Sequence, residues 1–567
     1  MPTQDFKGKQ YIYSHHHSVP FRALEVDGKK SLPAKGNKPS LDDNLIIHGD
    51  NLHALKALMP QYAGRIKCIY IDPPYNTGNE GWCYNDNVNS PLMKEWLKKN
   101  ANPVDKEDMQ RHDKWLCMMY PRLKLLHELL ADDGVIFVSI DDNEVHNLRE
   151  AMDDIFGEEN FYAQVIVRAN SRGQTYNQIA KTHEYVLLYA KTADIDFGEL
   201  NKDEENNDLN LTDKISKYNI RELRNRNPKF GKHNRANLFY PIFVNTSRAD
   251  KDGFFSVSLT EAKNFLKVEP YNSLGVESCW RWGEEKTQKN IAPDTQESNL
   301  VAKRKQDGGY SIYEKYRKTT FKAKSIWDDN KFLTETGTVE LNAMGIKDFQ
   351  FPKPLGLIKQ CIQLCTNDDD IILDSFAGSG TTAHAVLDLN NEDDGNRKFI
   401  LVEMEDYADN ITAERVRRAI KGVPTAKDEK LKAALGGSFT FCDLGKEISI
   451  EKIITGESLP DYGALAKYVF YTATGKSLDK EPKQKPDYFV GETDLYEVYL
   501  IYKPDIAFLR GNDSALNDTK LKTIAARNSK KEKLIFATAK YMGQKELSTQ
   551  NITFCQLPYA IHKVVGA

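Results

Sequence analysis

Four consecutive residues, Asp72-Pro73-Pro74-Tyr75, bring together groups that could act on an amine. A conjugated exocyclic nitrogen is a weak nucleophile. It becomes reactive when two acceptors take its N–H bonds and turn its lone pair in line with an electrophile. The Asp72 carboxylate and the Pro73 carbonyl can serve as that pair, the two proline rings stiffen the backbone that carries the carbonyl, and Tyr75 can stack on a flat ring. A sulfonium methyl group is the electrophile such a site suits. Taken alone, the tetrapeptide also fits a strand that ends in a Pro-Pro turn with an incidental tyrosine.

A second constellation lies far downstream: Asp374-Ser375-Phe376-Ala377-Gly378-Ser379-Gly380-Thr381-Thr382. Its glycines let the backbone approach a ligand closely. The lysine that follows the last glycine of a phosphate-binding loop is missing. Glu403, closing the next apolar run, can accept hydrogen bonds from ribose hydroxyls, which suits a ligand containing adenosine. A purely structural tight turn fits the glycines equally well. An NAD-dependent dehydrogenase would share the turn and the acid, but it would leave residues 72–75 unexplained. No metal is expected: the eight cysteines include no CxxC pair, Cys361 and Cys365 have no further ligand near them in sequence, and Cys68 reads as core. His15, His16 and His17 read as a polar patch in a mobile arm.

The elements that must hold these residues follow a strand–helix rhythm. Leu45-Ile46-Ile47-His48 ends in Gly49-Asp50 before the amphipathic segment Asn51 to Leu58. Ile66 to Ile71 is a β-branched run that stops at Asp72, where Pro73-Pro74 forbids further ladder or helix. Trp115 to Leu130 has helical periodicity, and Gly134 to Ile140 reads as a buried strand ending at Asp141. The rhythm weakens from about Asn160 to Met344. It resumes with a helix from Pro354, a strand Asp370–Leu373, the strand Phe399–Glu403 and a helix Ala413–Ile420. Strands that close on acids predict a parallel sheet with its chemistry at the carboxyl ends.

With 567 residues, 40% hydrophobic and 28% charged, the chain has the composition of a soluble multidomain protein. No run approaches the roughly 18 apolar residues of a membrane span, and the first residues lack the apolar core of a secretory signal, so a cytoplasmic location is expected. The net charge of −4 neither announces nor excludes a nucleic-acid binder, because distribution matters more than the sum. Locally, Arg221, Arg224, Arg226, Lys229, Lys232 and Arg235 face the single acid Glu222. A second basic run, from Lys303 to Lys324, is interleaved with Tyr310, Tyr313, Tyr316 and Phe321.

The tetrapeptide, a long intervening segment and then D-x-F-x-G-x-G resemble the beta group of adenine-specific DNA methyltransferases, in which the catalytic half precedes the cofactor-binding half. Trp327-Asp328-Asp329, Gly337-Thr338 and Phe351-Pro352-Lys353-Pro354, with the overall size, are similar to the modification (Mod) subunits of type III restriction-modification systems. The resemblance implies an α/β fold: a Rossmann-like S-adenosylmethionine-dependent methyltransferase sheet with a large inserted target-recognition domain and a C-terminal α+β domain. The expected boundaries are an N-terminal arm at 1–40, the catalytic half at 41–160, the insert at 161–345, the cofactor half at 346–422 and a C-terminal domain at 423–567. The resemblance gives catalysis to Asp72, Pro73, Pro74 and Tyr75. It gives S-adenosyl-L-methionine to Asp374, Phe376, Ala377, Gly378, Ser379, Gly380, Thr381 and Glu403, with Asp50 toward the adenine ring and Lys353 toward the methionine end. The expected partners are double-stranded DNA, a second copy of the chain in a homodimer, and a restriction (helicase-nuclease) subunit.

The expected reaction is direct transfer to the N6 amine of adenine, since no cysteine nucleophile accompanies the tetrapeptide. Three alternatives stay open at this level: a specificity subunit without catalysis, a methyltransferase with no restriction partner, and an enzyme acting on RNA or a protein amide.

Overall fold

The computed structural model describes residues 5–78, 111–173, 178–202, 209–347, 349–447, 459–478, 480, 482–527 and 530–557. The C-terminal domain expected at 423–567 therefore lies partly outside the described residues. Contacts divide the chain into two compact units, one of residues 1–198 with 324–567 and the other of residues 199–323.

The first unit is built on ten strands in one mixed sheet: β1 (Arg22–Leu32), β2 (Leu45–His48), β3 (Ile66–Ile71), β4 (Leu130–Ile140), β5 (Phe161–Arg168), β6 (His183–Ala190), β7 (Ile326–Trp327), β8 (Ile371–Asp374), β9 (Lys398–Glu403) and β10 (Phe439–Glu447). Their order is β1-β10-β2-β9-β8-β3-β4-β6-β5-β7. From β10 to β4 every pairing is parallel, as the strand–helix rhythm predicts. The β4–β6, β6–β5 and β10–β1 pairings are antiparallel. Burial on both faces explains why β2, β3 and β9 are largely apolar rather than alternating, although Lys67 interrupts β3.

Helices α1 (Asn51–Tyr62), α2 (Arg111–Leu129), α3 (Val145–Phe156), α4 (Leu355–Cys365), α5 (Thr381–Asp393) and α6 (Glu414–Lys421) accompany this sheet. α1 and α2 bury Leu52, Leu55, Leu58, Trp115, Leu123 and Leu126 in a core shared with Ile69, Ile71, Ile136 and Val138. The positioning consequence lies in the middle of the sheet. β3 and β8 are neighbours although the insert separates them in sequence, with Leu373 opposite Ile69. Their carboxyl ends therefore bring Asp72 and the glycine-rich turn to the same edge, at the switch in strand order where open α/β sheets bind ligands.

Two segments enter this sheet without a periodic signal. Residues 161–198, grouped above with the insert because the rhythm weakens there, contain β5 and β6, which extend the sheet beyond β4. The first 40 residues contain β1, paired with β10, and Phe6, Ile12 and Val19 are buried in the main core. His15 and His16 are also buried, which replaces the mobile polar patch expected of them. Near the end of the chain, four strands, Phe489–Glu492, Tyr496–Leu500, Glu532–Ala537 and Ile552–Gln556, form a small mixed sheet. Before it, the helix Tyr462–Thr474 rests on α1, where Lys467 donates to Gln61 at 2.8 Å.

The second unit carries a five-stranded and a three-stranded sheet around Leu223, Tyr240, Ile242, Trp280, Leu300 and Ile312. Several cations of its basic runs are committed internally. Lys315 and Arg317 both reach Asp213, at 2.6 and 2.7 Å, Arg224 and Arg226 reach Glu222, and Lys232 reaches Glu277. Arg221, Lys229, Arg235, Lys303, Arg304, Lys305 and Lys322 are exposed.

Candidate active site

β3 delivers Asp72 at the sheet edge, and the loop that follows is pinned from below. The Trp115 indole N–H donates to the Pro74 carbonyl at 2.7 Å. Asn76, in the left-handed region at φ 58°, donates its amide to the fully buried Glu144, which also receives Asn147 at 2.8 Å and stands 2.6 Å from His112 Nδ1. Burial pushes the pKa of Glu144 up, and the bonds from Asn76 and Asn147 oppose that rise. Together these contacts hold the Pro74 carbonyl and the Asn76 side chain, bracing the loop that follows Asp72.

Asp72 keeps 27% of its side-chain surface accessible, yet its Oδ1 is buried and accepts no hydrogen bond among the described residues. Burial pushes its pKa up, the Lys353 ammonium pulls it down, and Glu184 pushes it up again. Lys353 Nζ lies 3.4 Å from Asp72 Oδ1, donates to both oxygens of Glu184 at 2.8 Å, and donates to the Tyr75 hydroxyl at 2.5 Å. Tyr75 in turn donates to Glu184 at 2.9 Å. Lys353, expected at the methionine end, thus joins Asp72 and Tyr75 through its side chain, while its carbonyl accepts from Thr381 of the glycine-rich turn at 3.2 Å.

Across the β3–β8 boundary, Asp374 is buried and accepts from Phe376 N and Thr382 Oγ1. Burial lifts its pKa to about 7, against those two bonds. Gly378 and Gly380 have φ of +51° and +80°, and a Cβ on Gly380 would meet the Thr412 carbonyl at 2.9 Å. Glu403, at the end of β9, accepts from Gly378 N at 2.7 Å. The Ser379 and Thr381 hydroxyls both receive Arg415 Nη1, whose guanidinium is buried with Nε and Nη2 unpartnered among the described residues. Asp50 caps α1 through Leu52 N and faces Arg122 at 3.5 Å.

The structure brings Asp72, Tyr75 and Lys353 into one group, and Asp374, Phe376, Ala377, Gly378, Ser379, Gly380, Thr381 and Glu403 into another beside it. Sequence reasoning missed Glu184, Trp115, Glu144 and Arg415. Glu184 carried one signal, being an acid at the head of the apolar run Tyr185 to Ala190, where a charge needs a partner. Elsewhere, His16, His17 and Glu128 cluster closely enough to hold a metal ion. Burial pushes the pKa of both histidines down, and the nearby Lys56 and Lys124 ammonium groups add to that and oppose a cation there.

The turn suits a nucleoside joined to an amino acid better than a phosphate. Its acceptors are carboxylates, no lysine follows the last glycine, the glycines leave room for close backbone approach, and the buried Ser375 hydroxyl has no partner among the described residues. A mixed sheet with parallel central strands, that turn after β8 and Asp72-Pro73-Pro74-Tyr75 after β3, is the architecture of an S-adenosylmethionine-dependent methyltransferase. Residues 66–414 match the DNA methylase family, and the chain belongs to that family. It is 32% identical over 493 residues to the type III restriction-modification enzyme EcoPI Mod subunit of Escherichia phage P1, covering 79% of this chain and 73% of that one. It is 35% identical over 364 residues to the type II methyltransferase M.KpnI of Klebsiella pneumoniae, covering 63% and 80%. It is 33% identical over 421 residues to the type III restriction-modification enzyme StyLTI Mod subunit of Salmonella typhimurium, covering 72% and 59%. Among the described residues, no helix is long and apolar enough to cross a membrane.

Proposed function

We propose that this DNA methyltransferase acts on the N6 amine of adenine in duplex DNA, as the modification and specificity subunit of a type III restriction-modification system. The observation that carries the reading is the Asp72 carboxylate, with an unpartnered Oδ1, beside the glycine-rich turn. S-adenosylmethionine supplies an electrophilic methyl group. Glu403 and Asp50 would hold its ribose and adenine, and the 374–381 turn would cradle it.

The Asp72 carboxylate and the Pro73 carbonyl accept the two amine N–H bonds and expose the nitrogen lone pair, and Tyr75 stacks on the base. Once the nitrogen has gained the methyl group it must lose a proton, and the Asp72 carboxylate is the group proposed to take it. A base inside a duplex cannot reach a site this recessed, so the adenine is flipped out. Residues 199–323 would read the target sequence. Their exposed Arg221, Lys229, Arg304 and Lys305 suit phosphate contacts, while Lys315 and Arg317 are spent on Asp213. The names of the Mod relatives support a subunit that works with a restriction partner, and a homodimer is part of the proposal.

The test is single-molecule sequencing of modified bases in DNA from cells expressing the protein or its Asp72→Ala variant. Methyladenine on one strand of a short asymmetric motif, absent with the variant, is expected. Retained methylation in Asp72→Ala overturns the catalytic assignment.

A further inference from the structure

Asp72 has two conflicting requirements. It must stay ionised in a buried setting, and it must keep an oxygen uncovered for the incoming amine. Lys353 meets the first, since an ammonium beside a buried carboxylate favours the charged form. By itself it would defeat the second, because a buried ammonium next to a single carboxylate settles onto it as a charge-assisted hydrogen bond.

The distances show how the conflict is resolved. Lys353 Nζ makes its 2.8 Å bonds to Glu184 and stands off Asp72 at 3.4 Å, and Asp72 Oδ1 is left without a hydrogen bond. Glu184 comes from β6, a strand outside both motifs, and its side chain is itself 10% accessible. It also accepts from the Tyr75 hydroxyl, which fixes the ring expected to stack on the base. We infer that Glu184 is a positioning residue that holds Lys353 off the Asp72 carboxylate, leaving Oδ1 without a hydrogen bond so that the carboxylate can accept from the target amine.

A second consequence concerns charge. Asp72, Glu184 and Lys353 together carry one net negative charge, and the amine nitrogen becomes positive as it gains its fourth bond, so the group is matched to the charge that develops there. Tyr75 and Tyr70 are neutral neighbours. Asp374 is the other acid facing Asp72, from the end of β8.

The inference rests on the reading of Asp72 as the amine acceptor, and two measurements separate the two claims. The first is the crystal structure of Glu184→Gln, where Lys353 Nζ is expected to move to about 3 Å from Asp72 Oδ1. This arm does not depend on what the enzyme methylates, and an unmoved Nζ overturns the inference.

The second arm is single-turnover methyl transfer to DNA. Glu184→Gln is expected to slow it about 10- to 100-fold with S-adenosylmethionine affinity within about twofold, and Glu184→Asp to recover part of the loss. The double variant Glu184→Gln/Lys353→Met should lose less than the product of the two single losses, because without the lysine there is nothing for Glu184 to hold off. A double variant as slow as the product of the two single losses assigns Glu184 a merely structural role and overturns the inference. If the unaltered protein transfers no methyl group to DNA, the proposed function fails, and the position of Nζ still decides the geometric claim.

Discussion

Two carboxylates, one at each end of the site, are lifted by burial for different purposes. Asp72 must accept from an amine, and its replacement by alanine is expected to lower methyl transfer by at least about a thousandfold while S-adenosylmethionine still binds, as isothermal titration would show. Asp374 has no such duty, since its two oxygens are held by Phe376 N and Thr382 Oγ1. Its pKa of about 7 exceeds the unfolded value, so between about pH 4 and 7 the folded state holds a proton that the unfolded state has lost. The stability tied to this group is therefore fully present below the lower limit and declines as pH rises through 7. Thermal melting from pH 5 to 8 should show Asp374→Asn gaining on the native protein as pH rises. A constant difference between the two would contradict the buried, protonated state.

At the scale of elements, what matters is how each motif is seated. Trp115 on α2 holds the Pro74 carbonyl, so Trp115→Phe should cut the transfer rate roughly tenfold with cofactor affinity unchanged; a change confined to affinity would show that the indole serves the other motif. Gly380→Ala forces a side chain into the left-handed region and against the Thr412 carbonyl. It should weaken S-adenosylmethionine binding and cost about 1 kcal/mol or more in denaturant unfolding. Both motifs, and the strands that end in them, were legible in the sequence because apolar β-branched runs stop at acids and prolines or glycines. The parallel strands β2, β3, β8 and β9 carry that signature. Strands β1, β5 and β6 do not. β1 is a half-exposed edge strand rich in charge, and β5 and β6 enter the sheet antiparallel, outside the strand–helix rhythm. Glu184 escaped with them, because its importance lies in two partners, Tyr75 and Lys353, that only folding brings to it. The basic runs are a weaker guide: Lys315 lies in the second of them and is buried on Asp213.

For the whole molecule, DNA binding should fall steeply with salt, and charge removal at Arg304 and Lys305 should reduce the slope of log affinity against log salt by about one to two, where removal of Lys315 acts on folding instead. An unchanged slope would take those two side chains off the DNA. Sedimentation of a dimer is expected, and monomer alone with and without DNA would remove the homodimer from the proposal. The strand order has a consequence in time as well as space. β3 leaves the ribosome early, but one of its two neighbours, β8, is not synthesised until the whole of 199–323 has been made, a delay of roughly 15–60 s at ordinary elongation rates. Through that interval the nascent chain carries the edge of its central strand open, without the partner that will complete the catalytic edge. Newly made protein is therefore most prone to aggregate, and most dependent on chaperones, while the ribosome is translating the segment proposed to read DNA.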